Sequence, residues 1–228
     1  MREAVNAMLY VAKTGCQWEN LPHEFPNYQS VYYHYRKWCL DGTWERVNRA
    51  LNYESRRANG RLPYPSAAII DSQSVKTTEV GGACGYDAGK KVKGRKRHIL
   101  VDTLGLLLNV VVHPADVQDR DGAFHLLRRA RRLFPFIERI FADGGYAGKK
   151  MALVVWRTGA WKLEIAKRSG AAGFEVLPKR WVVERTIAWI SRNRRLARDF
   201  ERYATTVAAF VRLAMIRIML RRLASVSS

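Results

Sequence analysis

The chain has 228 residues, 48% of them hydrophobic, which suits one domain of ordinary size with a real core and excludes a disordered chain. Forty Lys and Arg against 20 Asp and Glu leave a formal charge of +20. Such an excess calls for a polyanionic partner, nucleic acid first, with ribosomal-type packing and an acidic membrane surface as competitors. The cysteines, Cys16, Cys39 and Cys84, are scattered and lack CxxC spacing, which argues against a disulfide framework or a zinc site and fits a reducing interior. No leader peptide and no membrane span are expected.

Residues 2–14 predict an amphipathic helix, with Val5, Met8, Leu9 and Ala12 at three- and four-residue spacing and Gly15 placed to end it. A second helix is predicted over 31–40, capped by Ser30, and a third over 43–57. The polar stretch 57–65, with Gly60, Pro63 and Pro65, reads as a linker. Residues 67–71, Ala-Ala-Ile-Ile-Asp, predict a short strand that stops on a carboxylate. The glycine- and lysine-rich stretch 75–95 predicts a mobile loop. His98–Asp102 and Leu106–His113 predict a hairpin about Thr103-Leu104-Gly105. Next come a helix over 119–134, a strand over 137–143 ending on Asp143, a helix over 148–159 and a strand over 161–169. A long helix is expected over 177–202, with Pro178 in its first turn, and a last amphipathic helix from Val207. From Ala67 onward the order β, β, β, α, β, α, β, α predicts an α/β fold: a mixed sheet with helices packed on it. The expected organisation is a helical unit over 1–60, the sheet-bearing domain over 66–204 and a C-terminal amphipathic helix over 205–228.

Three carboxylates stand out: Asp71 and Asp143 at strand ends, and Glu184 in the arginine-rich helix. One aspartate after a strand is by itself best read as a turn former. Asp102, beside the hairpin, and Asp116, Asp119 and Asp121, at a helix start, are read as structural. Strands of one sheet, however, bring two strand-end aspartates side by side, and a helix across the sheet adds a third carboxylate. Clustered carboxylates repel unless something compensates them. Two magnesium ions do so, and two such ions serve in-line displacement at a phosphodiester. On the helix, Val183, Ile187 and Ile190 form the apolar stripe, while Ala188, Ser191 and Arg195 lie near the meridian of Glu184. Candidate phosphate contacts are Arg36 and Lys37, and the basic run Lys90, Lys91, Lys93, Arg95, Lys96 and Arg97. Tyr32, Tyr33, Tyr35 and Trp38 read as core, and Trp181 and Trp189 as packing residues.

"DSQSVKT", "KGRKRHILVDTLG", "FADGGYAG" and "KRWVVERTIAWISRNRRL", preceded by "LYVAKTGCQWENLPHEFPNYQSVYYHYRKWCLDGTWERV", resemble in order the DDE transposases of bacterial insertion sequences, of the IS-five group. The resemblance covers nearly the whole chain. It implies an RNase H-like core and a triad of Asp71, Asp143 and Glu184 holding two Mg²⁺, with Mn²⁺ able to substitute. It implies cleavage at terminal inverted repeats to free 3′-hydroxyls and their transfer to target DNA. A homo-oligomer acting on double-stranded DNA at the bacterial nucleoid, away from any membrane, goes with it, as does a helix-turn-helix-like reader in the first 60 residues. In the group's signature (Tyr, two residues, Arg, three residues, Glu, six residues, Lys), Arg180 and Glu184 stand in place. Leu177 stands for the tyrosine and Ser191 for the lysine. Arg192 and Arg195 take over by position, and with Arg180 and Arg185 are implied DNA contacts. Relatives carry a further stretch before the first helix, so a shortened start is expected. The rivals are an RNase H-like nuclease without strand transfer and a truncated or domesticated DNA-binding derivative.

Overall fold

The computed structural model describes residues 1–79, 82–166 and 180–226. The first helices are α1 (Arg2–Thr14), α2 (Tyr28–Leu40) and α3 (Thr43–Ala58). Gly15 ends α1 at φ 75°, a conformation glycine takes without cost, and its N–H closes on Val11 O. The cap of α2 is Asn27 rather than Ser30: its Oδ1 accepts the Gln29 N–H at 2.9 Å, which starts the helix three residues earlier than expected.

The strands are β1 (Ala67–Lys76), β2 (Gly85–Asp87), β3 (Val92–Asp102), β4 (Leu107–Pro114), β5 (Arg139–Ala142) and β6 (Lys162–Ile165). Between and after them lie α4 (Asp119–Leu133), α5 (Lys149–Gly159), α6 (Arg180–Ser191), α7 (Arg194–Ala197) and α8 (Ala204–Val226). β3 pairs antiparallel with both β1 and β4, and β5 pairs parallel with β1 and β6. The sheet therefore runs β4-β3-β1-β5-β6, with the short β2 beside the outer part of β3. An antiparallel three-strand meander continued by two parallel strands is the RNase H-like mixed α/β sheet expected from the resemblance.

Alternation along β1 divides its side chains between two cores. Ala68 and Ile70 join Leu126, Leu127 and Val155 under α4 and α5. Ile69 joins the opposite core, where α1, α2, α3, α6 and α8 meet the sheet. α8 is the spine of that second core. Phe210, Leu213 and Met215 are wholly buried, and the Tyr35 hydroxyl donates to Thr206 O at 3.0 Å. α3 is fastened to the hairpin: Asn48 Nδ2 donates to Leu107 O at 2.7 Å and Arg56 pairs with buried Asp102. Asp102 also accepts the N–H groups of Leu104 and Leu106, so it is the structural residue of the hairpin, as read. The N-terminal helices thus share one core with α8 and the sheet.

Three expectations are corrected. β1 does not stop at Asp71 but runs five residues past it, because β3 pairs with it as far as Lys76↔Gly94. The basic run is a loop only at its start: Lys90 and Lys91 lie in a turn, but residues 92–102 are β3, and Arg95, Lys96 and Arg97 are buried in it. The long helix breaks. α6 ends at Ser191, and Asn193 Nδ2 binds the carbonyls of Trp189 and Ile190 that the helix leaves open. Asp199 is then extended beside β1, its N–H on Lys76 O at 2.9 Å. Leu177, Pro178 and the expected end of the strand at 167–169 lie outside the described residues. No helix among the described residues is long and apolar enough to cross a membrane.

Candidate active site

The pairing of β1 with β5 runs Ala67↔Arg139, Ala68↔Ile140 and Ile69↔Phe141. Two further steps on both strands reach Asp71 and Asp143. The two aspartates therefore stand level on neighbouring strands, which lie about 4.8 Å apart in a sheet. β5 stops at Ala142 while β1 continues with β3, so the pair sits where the sheet forks. By alternation both carboxylates share the face of Ile69 and Phe141, over which α6 lies. Asp143 Oδ1 accepts the Gly145 N–H at 2.9 Å and caps the turn Gly144–Tyr146. Asp71 Oδ1 accepts the Ser72 N–H at 2.7 Å.

α6 brings the rest. Gln73 Nε2 donates to Ser191 Oγ at 3.0 Å and ties the end of α6 to β1. The serine in the signature's lysine position is therefore a fastening. Arg180, in the first turn, lies between two acids: Nη2 is 3.9 Å from Asp143 Oδ2 and Nε is 3.0 Å from Glu184 Oε1, one turn on. Asp71, Asp143, Arg180 and Val183 line a cavity of ≈ 10 Å³, room for about one water-sized sphere. Burial pushes the Asp71 carboxyl up to about 6, and the charge of Asp143 adds to the rise against the Ser72 N–H, Lys90 and Arg180. The structure thus brings Asp71, Asp143 and Arg180 together. Glu184 stays on the rim, its side chain 54% exposed. Among the described residues no three His, Cys, Asp or Glu converge on one point.

Behind Asp71, on the opposite face of the sheet, lies a polar cluster that sequence reasoning missed. Ser72 Oγ donates to Asp119 Oδ1 at 2.9 Å, and Lys90 Nζ donates to Ser72 O at 3.0 Å. Lys96 Nζ lies 2.9 Å from Asp119 Oδ1 and 3.3 Å from Asp87 Oδ2. Burial would raise the Asp119 carboxyl, but the hydrogen bonds from Lys96 and Ser72 outweigh it and hold the group below its ordinary value. Asp119 does start a helix, as read, yet it also clamps the residue next to Asp71. Its place in the first helical turn was legible; its partners, far off in sequence, were not.

The candidate DNA contacts divide. Lys37, Lys91, Lys93 and Arg192 are exposed. Arg36 lies over the Tyr203 ring at 4.7 Å, and Arg185 over both Trp181 and Trp189. Four residues are corrected. Arg95 is spent on Asp199 and on the carbonyls of Ala83, Glu201 and Arg202. Lys96 is spent on the cluster just described, and Arg97 donates to Leu196 O. Arg195 grips Glu201 at 2.8 Å and is largely buried. All four side chains are turned into the protein, Arg195 less completely than the others. Trp181, read as packing, is 47% exposed.

A family profile described as "Transposase DDE domain" matches residues 63–219, and one described as "Putative transposase of IS4/5 family" matches residues 1–48. The chain belongs to the DDE transposases of insertion sequences. This transposase is similar to "Putative transposase for insertion sequence element IS402" of Burkholderia cepacia, 34% identical over 128 residues, 53% of this chain and 60% of the relative. It is also similar to "Insertion element IS402 uncharacterized 16.2 kDa protein" of the same organism, 31% identical over 86 residues, 37% of this chain and 57% of the relative. The matches thus span about three fifths of each relative's own length. Among solved structures, "Mos1 transposase paired-end complex with left transposon end" aligns over 98% of this chain and 78% of that one, at 10% identity and a TM-score of 0.30.

Proposed function

We propose that this transposase cuts DNA at the ends of its element and joins the freed 3′-hydroxyls to target DNA, with Asp71, Asp143 and Glu184 as its catalytic acids. The observation that carries the reading is the level placement of Asp71 and Asp143 at the fork of the sheet, with Arg180 linking Asp143 to Glu184.

The residues fit a divalent cation. The donors are hard carboxylate oxygens, Asp71 is already strained upward by burial and by Asp143, and a cation-bearing side chain, Arg180, sits between the acids. Asp71 and Asp143 would hold Mg²⁺ between them and Glu184 would complete the set, Mn²⁺ being the natural substitute. When bound, such ions supply Lewis-acid activation of the attacking hydroxyl and stabilisation of the leaving oxygen.

The chain's own residues do the rest. β1 and β5 fix the two aspartates, and the Ser72–Asp119–Lys96 cluster holds β1 at that point. Arg180 balances Asp143 and Glu184 and serves as the contact to a phosphodiester oxygen. Lys37, Lys91, Lys93 and Arg192 supply exposed charge for the DNA backbone. Residues 1–60 serve as the reader of the terminal inverted repeats, 66–204 as the catalytic domain, and the helix over 205–228 as its support. A homo-oligomer joins two ends, inside the bacterial cytoplasm at the nucleoid.

The test is a strand-transfer assay with labelled duplexes carrying the element's own ends, a target plasmid and Mg²⁺. Joined products are expected. Cleavage without joining would make the protein a nuclease, and DNA binding with neither would make it a domesticated derivative.

A further inference from the structure

α6 has a second polar face beside the one that carries Glu184. At 3.6 residues per turn, Trp181, Arg185, Trp189 and Arg192 fall on one stripe, next to the stripe of Arg180 and Glu184. The Arg185 guanidinium lies 4.5 Å from the Trp181 ring centre and 4.6 Å from that of Trp189. Arg222, from α8, lies 4.5 Å from the Trp189 ring. Indoles and guanidiniums thus alternate along the helix.

This ladder leads into a groove of ≈ 360 Å³ between the ends of α1 and α6 and the flank of α8. Lys13, Trp189, Arg192, Arg217, Arg221 and Arg222 line it. Five of these six are cations. Among the described residues none of the five has a carboxylate within ion-pair distance. The carboxylate whose field reaches Arg222, Asp102, is taken by Arg56. Like charges held together with part of their surface out of water repel, and a bound polyanion relieves that cost. Burial, followed by the charge of Arg185, already lowers the affinity of Arg222 for its proton.

We infer that this groove is a phosphodiester-binding site, which takes the backbone of the DNA whose strand enters the carboxylate site. The inference rests on the transposase reading and adds a place to it. Flat cationic and aromatic surfaces suit phosphates and sugar–base edges, whereas a lipid surface calls for exposed aliphatic residues; the aliphatic residues that line the groove, Ala214 and Ile218, are buried and partly buried in the core. From Arg192 back to Glu184 is eight residues, about 12 Å along the helix axis. At 3.4 Å per base pair, the groove would hold phosphates roughly three to four base pairs from the reacting bond. The sequence-level candidates include Arg192 and Arg185 but not Lys13, Arg217, Arg221 or Arg222.

The experiment measures binding of the full chain to a labelled random-sequence duplex by fluorescence anisotropy over a range of KCl concentrations. Removing one phosphate-binding cation reduces the slope of log K against log salt by about 0.9. Arg217→Gln with Arg221→Gln should therefore flatten the slope by nearly two and weaken binding at least tenfold at ~0.1 M salt. Arg192→Gln, at an exposed position, should flatten it by about one and repeats the test if the double variant folds poorly. Arg128→Gln with Arg132→Gln, exposed on α4 at the opposite face of the sheet, should leave the slope at the wild-type value. Wild-type binding with unchanged slopes in the groove variants would overturn the groove alone. A wild-type chain that does not bind the duplex would overturn both the groove and the transposase reading.

Discussion

Asp71 and Asp143 stand level on two parallel strands at the point where one strand stops and the other continues. Each carboxylate takes an N–H from a residue just after it, Ser72 for Asp71 and Gly145 for Asp143, but neither neighbour brings the two acids together. The β1–β5 register sets both, and the fork keeps the space between them free of further strand pairing. A carboxyl held there is costly, as the rise of Asp71 to about 6 records. Such a cost is commonly seen where function opposes stability.

That cost gives the first prediction. Below the unfolded value near 3.9, Asp71 is protonated in both states and takes nothing from stability. Between that value and about 6 the unfolded chain gives up the proton while the folded chain keeps it, so stability falls across this window and is fully lost above about 6. With Mg²⁺ absent, Asp71→Asn should melt higher than wild type at pH 8, by up to about 3 kcal/mol at 1.36 kcal/mol per unit. The difference should vanish near pH 4. Equal melting temperatures at pH 8 would contradict the account.

A bound cation should reverse the same cost. A ligand present at 100 times its Kd stabilises the folded state by about 2.7 kcal/mol. Mg²⁺ or Mn²⁺ should therefore raise the melting temperature of wild type at pH 8 and leave that of Asp71→Asn unmoved. An equal rise in both would place the bound ion elsewhere.

Lys96 is the cation shared by Asp87 and Asp119. Lys96→Met keeps the length of the side chain but leaves two acids without their partner beneath β1. Breaking a buried pair in this way typically costs about 3–5 kcal/mol. A urea midpoint within error of wild type would show that the cluster does not hold the strand.

Gly122 inverts a rule. Glycine to alanine inside a helix usually stabilises by about 1 kcal/mol. Here the new Cβ would come within 2.3 Å of His113 Nε2 and 2.5 Å of His98 Cε1, two rings that already hold each other at 2.7 Å. Gly122→Ala should lower stability by about 1–3 kcal/mol, the usual cost of overpacking. A stabilised variant in denaturant titration would contradict this.

The chain order of the longer strands and helices and the place of both aspartates after apolar runs were legible, because Ala67–Ile70 and the run up to Ala142 each lead straight into a carboxylate. The continuation of β1 through Ser72-Gln73-Ser74 was not, since polarity there reads as a loop. Each of those side chains is instead satisfied by a partner distant in the chain: Asp119, Ser191 and Asp87. Arg95, Lys96 and Arg97 misled for the same reason. A run of charge is normally solvated, and burying it requires acids and carbonyls that only the tertiary fold supplies, such as Asp199 for Arg95, 104 residues away. The break after Ser191 hinged on Asn193 turning its amide back onto the helix end. Trp181 and Trp189 read as packing residues by type, and only the position of Arg185 and Arg222 reveals the charged ladder they form.

The central claim is that Asp71, Asp143 and Glu184 act as one divalent-cation site on DNA. Its most direct measurement is nicking of a duplex carrying the element's end, in Mg²⁺, by wild type and by Asp71→Ala, Asp143→Ala and Glu184→Ala. Folding is followed by circular dichroism and DNA affinity by anisotropy. The account predicts that each variant binds DNA as wild type does and nicks at least a hundredfold more slowly, which is about 2.7 kcal/mol in the barrier. A folded, DNA-binding variant at any of the three positions that still nicks at the wild-type rate would contradict it.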